Sequence, residues 1–100
     1  MRRNGGERVS KNEAGERVCV ALITLCEMRE GERGVLCPMS PQHALYGRLR
    51  NLGWRAGVVV VCVRRGPRGT PIAYRACGVT VALRATDAST IFVQKEEKLD

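Results

Sequence analysis

The chain has 100 residues, of which 44% are hydrophobic and 27% charged, and its formal net charge is +7. This length allows one modest hydrophobic core, and the composition excludes a disordered chain. The longest apolar run is far below the roughly 20 residues that span a membrane, and no apolar segment follows the basic start as in a secretion signal. We therefore expect one soluble domain in the cytoplasm.

Residues 1–16 combine glycines and charges with a single isolated valine, Val9. Such a segment buries too little apolar surface to offset the entropy of ordering, so we expect a flexible tail. Two β-strand patterns follow. Val18, Val20 and Leu22 alternate with Cys19, Ala21 and Ile23, and after a glycine-rich turn a second short apolar run covers residues 35–37.

Ser40 and Pro41 have the order that is typical of a helix start, with serine as the N-cap and proline in the first helical position. Leucines at helical spacing then lie on one stripe, and Gly53 has the residue type preferred just after a helix. The pattern predicts one short helix over about residues 41–52.

The run from Val58 to Val63 is apolar at every position, which indicates the most central strand, buried on both faces. An arginine-rich loop follows, then strands over 72–77 and 79–85, a capped turn over 86–90 and a last apolar stretch from Ile91 to Val93. Five to six short strands with one helix predict a small β-barrel over residues 17–95, with a frayed end at 96–100.

The chain contains a series of short motifs, each with a defined internal spacing. In order they are Leu22-x-x-Leu25, Gly31-x-x-Gly34, Arg48-Leu49-x-x-Leu52-Gly53-x-x-x-Gly57, Pro67-x-Gly69-x-Pro71, Gly78, Ala82-Leu83-Arg84 and Ala88-x-x-Ile91-x-Val93. Their order resembles the FeoA family over about residues 20–94. The resemblance implies an SH3-like β-barrel and a role as a small cytoplasmic accessory protein of bacterial ferrous iron uptake. Trp54 and Ala56 depart from the family pattern, which usually has a smaller apolar residue and a proline there.

The residues give little support for catalysis. His43 is the one candidate base, and the acidic residues of the folded part lie in predicted turns beside basic residues. We therefore expect no enzyme activity and no cofactor.

The five cysteines, an odd number without a C-x-x-C pair, indicate reduced and mostly buried thiols. Cys37 and His43 are weak candidates for a metal site, because structural zinc sites normally use four ligands. Binding of Fe(II) by this chain is possible on the resemblance but is not favoured.

The basic charge leaves two classes of partner open. Arginines around the helix end and the following loop are compatible with nucleic acid, although the chain has only 4% aromatic residues for base stacking. A related alternative is a transition-metal-binding domain like the SH3-like domain of metal-dependent repressors.

The other class is a protein-binding module, which is the interpretation we favour. Aromatic residues together with arginine are the composition that most often anchors protein interfaces. We expect Leu52 and Trp54, with Arg48, Arg55 and Arg65, to form a partner-binding groove beside the helix end. The alternative is that Leu52 and Trp54 only close the barrel. The resemblance implies a partner, the cytoplasmic part of the FeoB ferrous iron permease.

Overall fold

The computed structural model describes residues 8–11 and 13–98. Within these ranges the elements follow in chain order: β1 (Arg8–Lys11), β2 (Arg17–Thr24), a 3-10 turn (Leu25–Glu27), β3 (Arg33–Leu36), α1 (Tyr46–Asn51), β4 (Val59–Arg65), β5 (Ile72–Ala76), β6 (Val79–Leu83), α2 (Ala85–Ala88) and β7 (Phe92–Lys98). The strands make a single sheet with the order β1-β2-β7-β3-β4-β5-β6, and every neighbouring pair is antiparallel.

The last strand lies in the interior of the sheet. β7 pairs with β2 from Val18 opposite Lys98 to Thr24 opposite Phe92, and on its other side it pairs with β3. Because the end of the sequence is inserted between two earlier strands, distant parts of the chain become neighbours on one sheet face.

One core cluster draws side chains from β3 to β7 and from both helices. Its members alternate along each strand with exposed residues, as in β5, where Ile72, Tyr74 and Ala76 are buried. Tyr74 donates its hydroxyl to the carbonyl of Leu25 at 2.9 Å, and burial raises the pKa of this phenol. The hydrogen bond satisfies a polar group that burial would otherwise penalise.

The helix is shorter than predicted, since α1 begins at Tyr46 and not near residue 41. The N–H groups of His43 and Tyr46 donate to carbonyls three residues back, Ser40 and His43, at 2.9 and 3.0 Å. Ser40 thus begins a succession of turns with three-residue spacing, and the α-helical spacing begins only after them. Ala85–Ala88 forms the one-turn α2 where we expected a capped turn.

The prediction that Val58–Val63 is buried on both faces is wrong. Val60 and Cys62 are buried, but Val59 and Val63 on the opposite face are exposed. β4 pairs with β3 and β5, so it is an interior strand, while β3 occupies the middle of the strand order. An interior strand has hydrogen-bonded neighbours on both edges, but one of its two faces can still be exposed to solvent.

Part of the predicted tail is a strand. Arg8–Lys11 forms β1 and pairs with β2 from Arg8 opposite Val20 to Lys11 opposite Arg17. Strand pairing satisfies backbone groups without needing apolar side chains, which explains why composition did not indicate it. Residues 1–7 and 12 of the predicted tail, and 99–100 of the predicted frayed end, lie outside the described residues, while β7 continues to Lys98.

Candidate functional site

The chain turns inward after α1 and carries an indole into the core. Gly53 has φ +92°, a left-handed conformation that glycine adopts without strain. Trp54 donates its backbone N–H to the carbonyl of Leu49 at 3.0 Å, and its side chain is 2% exposed. Trp54 therefore lies in the core, where the alternative interpretation of the sequence placed it, and not in the wall of an open groove.

The other predicted partner-binding residues near α1 remain closer to solvent. Arg48 and Arg55 are exposed, and Leu52 is half-buried against the core. Arg48 and Leu52 are four residues apart, so they lie one above the other at the helix end. Arg48 is thus an exposed cation one helical turn before a half-buried leucine, and Arg55 is an exposed cation three residues after it in the chain.

Arg65 has a different role from the one predicted. Its guanidinium Nη1 donates to the carbonyls of Cys26 and Met28 at 3.1 and 2.8 Å, and its backbone N–H donates to Glu30 Oε2 at 2.7 Å. These bonds hold the turn after β2 against the end of β4. Arg65 is thus a structural clamp.

We expect Arg65→Lys to lower the free energy of unfolding by about 1–2 kcal/mol, because the lysine side chain is one atom shorter and its ammonium does not reach the position of Nη1 between the two carbonyls. Urea denaturation followed by circular dichroism measures this loss. The neighbouring Arg64→Lys, at an exposed position, is the matched control and is expected to change stability by less than about 0.5 kcal/mol. Equal stabilities of the two variants would contradict the clamp.

Both ring nitrogens of His43 are used within the protein. Nδ1 accepts the backbone N–H of Leu45 at 3.0 Å, and Nε2 lies 2.8 Å from Thr90 Oγ1. Thr90 Oγ1 donates to the carbonyl of Asp87 at 2.7 Å, so the pattern assigns the ring proton to Nε2, which donates to the threonine. His43 joins the turn before α1 to the end of α2.

Cys37, the other weak metal candidate, is half-buried, and burial raises the pKa of its thiol. Within residues 8–11 and 13–98, no group of three or more histidine, cysteine or acidic side chains could hold a metal ion. The residues described therefore offer no ligand set that resembles a metal centre.

A small cavity lies between the end of β3 and α1. Its volume is about 160 Å³, and we call it the α1 cavity; its walls are Leu36, Cys37, Pro38, Met39, Tyr46, Trp54 and Ala56. Among the described side chains, Trp54 Nε1 is the buried nitrogen or oxygen that has no hydrogen-bond partner. The lining of the cavity is mostly apolar.

The sequence analysis missed an apolar surface on the sheet. Leu22, Val35, Val59 and Phe92 are each 40–49% exposed, and we call these four residues the apolar strip. Register brings them together: Leu22 lies opposite Gln94, Gln94 opposite Val35, and Val35 opposite Val59. Phe92 is two residues from Gln94 and shares its face. Contiguous exposed apolar residues of this kind mark interaction sites.

A concavity of about 350 Å³ adjoins the strip and is lined by Glu32, Arg33, Gly34, Val35, Val59, Gln94, Lys95 and Glu96. At its side, Lys95 Nζ donates to Glu32 Oε2 at 2.7 Å, and the backbone N–H of Arg29 donates to Glu32 Oε1 at 2.8 Å. The Arg29 backbone bond, followed by the Lys95 side chain, lowers the pKa of Glu32. The ionised carboxylate thus stabilises the rim beside the strip.

Since the pKa of Glu32 is lowered by folding, its contribution is complete above the ordinary value of 4.5 and is lost as the pH falls through the lowered value. We expect Glu32→Gln to cost about 1 kcal/mol at pH 7, and we expect this difference from wild type to shrink between pH 4.5 and strong acid. Denaturant titrations over this pH range measure the difference. Glu13→Gln, at an exposed position, controls for the removal of one negative charge. A difference that stayed constant with pH would contradict the assignment.

Charge is distributed very unevenly along the chain. Residues 33–86 contain nine arginines and no aspartate or glutamate. This range, which we call the basic segment, runs from β3 through α1 to α2, so it includes Arg48 and Arg55 and the walls of the α1 cavity. An acidic partner would be attracted to it, and the attraction would weaken with salt.

No helix within the described ranges has the length and apolarity needed to cross a bilayer. A search of curated proteins found no match to this chain.

The fold of this chain matches several solved structures. The chain is 27% identical to an FeoA protein from Chlorobium tepidum, with a TM-score of 0.67, over 73% of this chain and 70% of that one. It is 28% identical to Stenotrophomonas maltophilia FeoA complexed with zinc, with a TM-score of 0.61, over 75% and 95% of the two chains. That protein is described as a prokaryotic SH3 domain protein proposed to be a ferrous iron transport activating factor.

A manganese-dependent transcriptional repressor shares the fold at 19% identity and a TM-score of 0.64, over 74% of this chain and 41% of the repressor. These similarities confirm the predicted mainly-β, SH3-like fold. The family model of the FeoA domain matches residues 23–95, close to the range over which the sequence motifs indicated it. The chain belongs to the FeoA family, whose members are linked to ferrous iron transport.

Proposed function

We propose that this chain is an accessory protein of ferrous iron uptake that binds the cytoplasmic part of a FeoB-type permease and modulates Fe(II) transport. The observation that carries the proposal is the apolar strip, laid across β2, β3, β4 and β7 of a family member. Exposed leucine, valine and phenylalanine side chains in one contiguous patch gain free energy when a partner covers them. We place the protein in the cytoplasm, where that part of the permease lies.

The basic segment supports the same proposal. A cationic surface accelerates association with an acidic partner and fixes its orientation, while apolar contacts supply most of the affinity. In this proposal Arg48 and Arg55 meet acidic groups of the permease beside Leu52. Trp54 and Arg65 contribute indirectly, because one packs in the core and the other clamps two backbone carbonyls.

The protein acts in this proposal as an adaptor and not as an iron carrier or an enzyme. His43 uses both ring nitrogens in hydrogen bonds at 2.8 and 3.0 Å, which leaves neither free for a metal. Cys37 is a partly buried thiol with a raised pKa, and thiolate is the form that binds metals.

Nucleic acid binding receives less support from the aromatic residues. Trp54 and Tyr74 are buried, and the Arg50 guanidinium lies 5.7 Å from the centroid of the Tyr46 ring. Phe92 alone among the four aromatic residues is an exposed ring, whereas base stacking on a barrel face normally uses several.

Isothermal titration calorimetry tests the proposal with the purified chain and the cytoplasmic domain of a FeoB-type permease, at about 50 and about 300 mM salt. We expect binding at both concentrations, weaker by about tenfold at the higher one. A duplex DNA of mixed sequence is the control ligand. Absence of binding to the permease domain at low salt, or tighter binding to the DNA, would overturn the proposal.

A further inference from the structure

Three arginines surround two alanines on the exposed face of β4, β5 and β6. Arg64 lies opposite Ala73, which lies opposite Ala82, so these three residues form one row across the strands. Arg75 is two residues from Ala73, and Arg84, whose backbone is still extended, is two residues from Ala82. Side chains two residues apart on a strand share one face, so Arg75 and Arg84 border the row.

The loop between β4 and β5 adds a fourth arginine at the end of the same row. Gly66 donates its backbone N–H to the carbonyl of Pro71 at 2.9 Å, which closes the loop, and Arg68 within it is exposed. Neighbouring strands are about 4.8 Å apart, and alternate residues of one strand about 7 Å, so long side chains from these positions can contact one ligand surface. We call Arg64, Arg68, Arg75 and Arg84 the cationic patch.

The guanidinium groups of the cationic patch are open to solvent, since all four residues are exposed. Arg75 Nε donates to Thr80 Oγ1 at 3.1 Å, and this bond orients the side chain. Arg84 pairs with Asp87 at 3.3 Å, but 77% of the Arg84 side chain stays exposed. Because an ion pair this exposed is weak, an anion from outside the chain can compete for Arg84.

We propose that the cationic patch binds the anionic phospholipid headgroups of the membrane that contains the permease. This inference rests on the proposed function, because docking on a membrane-embedded permease places the chain beside the bilayer surface. Each basic residue near an anionic bilayer strengthens binding by about fivefold, so four arginines bind weakly alone. Added to docking through the apolar strip, such weak binding raises the affinity for the permease in its membrane.

The shape and composition of the cationic patch favour headgroups over nucleic acid. Ala73, Thr80 and Ala82 have short side chains, so the arginines stand above a shallow surface. Arginine forms bidentate hydrogen bonds with phosphate oxygens, and phospholipids present these oxygens across a plane. Tyr74 is the one aromatic residue of β4, β5 and β6, and it is buried, so these strands offer no ring for base stacking.

The cationic patch leaves the apolar strip free for the permease domain. The strip lies on β2, β7, β3 and the start of β4, and the patch lies at the other end of the strand order. On the one strand that both use, Val59 and Arg64 are about 16 Å apart along the backbone. The chain can therefore contact a protein through the strip and a bilayer through the patch at the same time.

Co-sedimentation with lipid vesicles tests the inference without the permease. The probes are vesicles of phosphatidylcholine alone and vesicles that also contain about 40% phosphatidylglycerol, an anionic lipid. At about 50 mM salt we expect the chain to bind the anionic vesicles and not the neutral ones, and we expect about 500 mM salt to release it. Arg64→Gln with Arg75→Gln is expected to weaken vesicle binding about thirtyfold and to leave the calorimetric affinity for the soluble permease domain unchanged.

Arg17→Gln with Arg29→Gln is the matched control, because it removes the same charge at exposed positions outside the cationic patch. It is expected to weaken vesicle binding by less than about threefold. The inference is overturned if wild type does not bind anionic vesicles or if the two double variants bind them equally. Release of the chain by inorganic phosphate, or by duplex DNA, at the phosphate concentration of the lipid would also overturn it. The docking proposal is decided separately, by the calorimetric titration with the permease domain.

Discussion

Trp54→Ala is expected to lower the free energy of unfolding by about 3–5 kcal/mol, the largest effect of any substitution considered for this chain. The indole is 2% exposed and belongs to the core cluster with Leu49 and Val60, so its removal leaves a large void in a small core. Urea denaturation followed by far-ultraviolet circular dichroism measures the loss, since the variant has no tryptophan fluorescence.

Trp54→Phe is the matched control for this void. It retains an aromatic ring in the core and is expected to cost about 1–2 kcal/mol. A loss below about 1 kcal/mol for Trp54→Ala would contradict the buried position of the indole. A loss of the expected size means that weakened partner binding by Trp54→Ala would report unfolding and not a lost contact with the partner.

The double substitution Val35→Gln with Val59→Gln is expected to weaken binding to the permease domain by more than about tenfold. These valines lie directly opposite each other and are 40 and 49% exposed, so they form the middle of the apolar strip. Gln94 already occupies the same row, so a glutamine side chain is compatible with this face. Stability is expected to change by less than about 1 kcal/mol.

Val63→Gln provides the control for the strip. Val63 is 42% exposed on β4, as Val59 is, but it lies outside the strip. Calorimetric titration is expected to give wild-type affinity for this variant. Equal affinities of the double variant and Val63→Gln would show that the strip does not contact the permease domain.

The regular elements could be predicted because their signals are local. The apolar run from Val18 to Ile23 indicated β2, and Gly53 indicated the end of α1. Turn geometry is also local, as at the β5–β6 connection, where Cys77 and Gly78 both have positive φ. The start of α1 was misplaced, because Ser40 is as compatible with three-residue turns as with a helix cap.

The apolar strip could not be predicted, because its four residues come from four strands. Leu22, Val35, Val59 and Phe92 become neighbours only through the pairing of β7 between β2 and β3. The sequences of these strands are apolar at most positions. The sequence alone therefore does not show which face of such a strand is exposed to solvent.

The roles of Trp54 and Arg65 depended on long-range contacts in the same way. An aromatic residue beside a glycine is compatible with a surface anchor and with a core residue, and packing against Leu49 decides between them. For Arg65 the deciding contacts are the carbonyls of Cys26 and Met28, far away in the sequence. Residue types therefore pointed to the region around α1 as a candidate interface, but they did not show which of its side chains are exposed to a partner and which are used within the fold.

The most direct test of the central claim is an NMR titration of the ¹⁵N-labelled chain with the cytoplasmic domain of a FeoB-type permease, read at every backbone amide. We expect the perturbed amides to cluster at Leu22, Val35, Val59 and Phe92. Unchanged spectra at low salt, or perturbations confined to the opposite edge at β6, would contradict docking through the apolar strip.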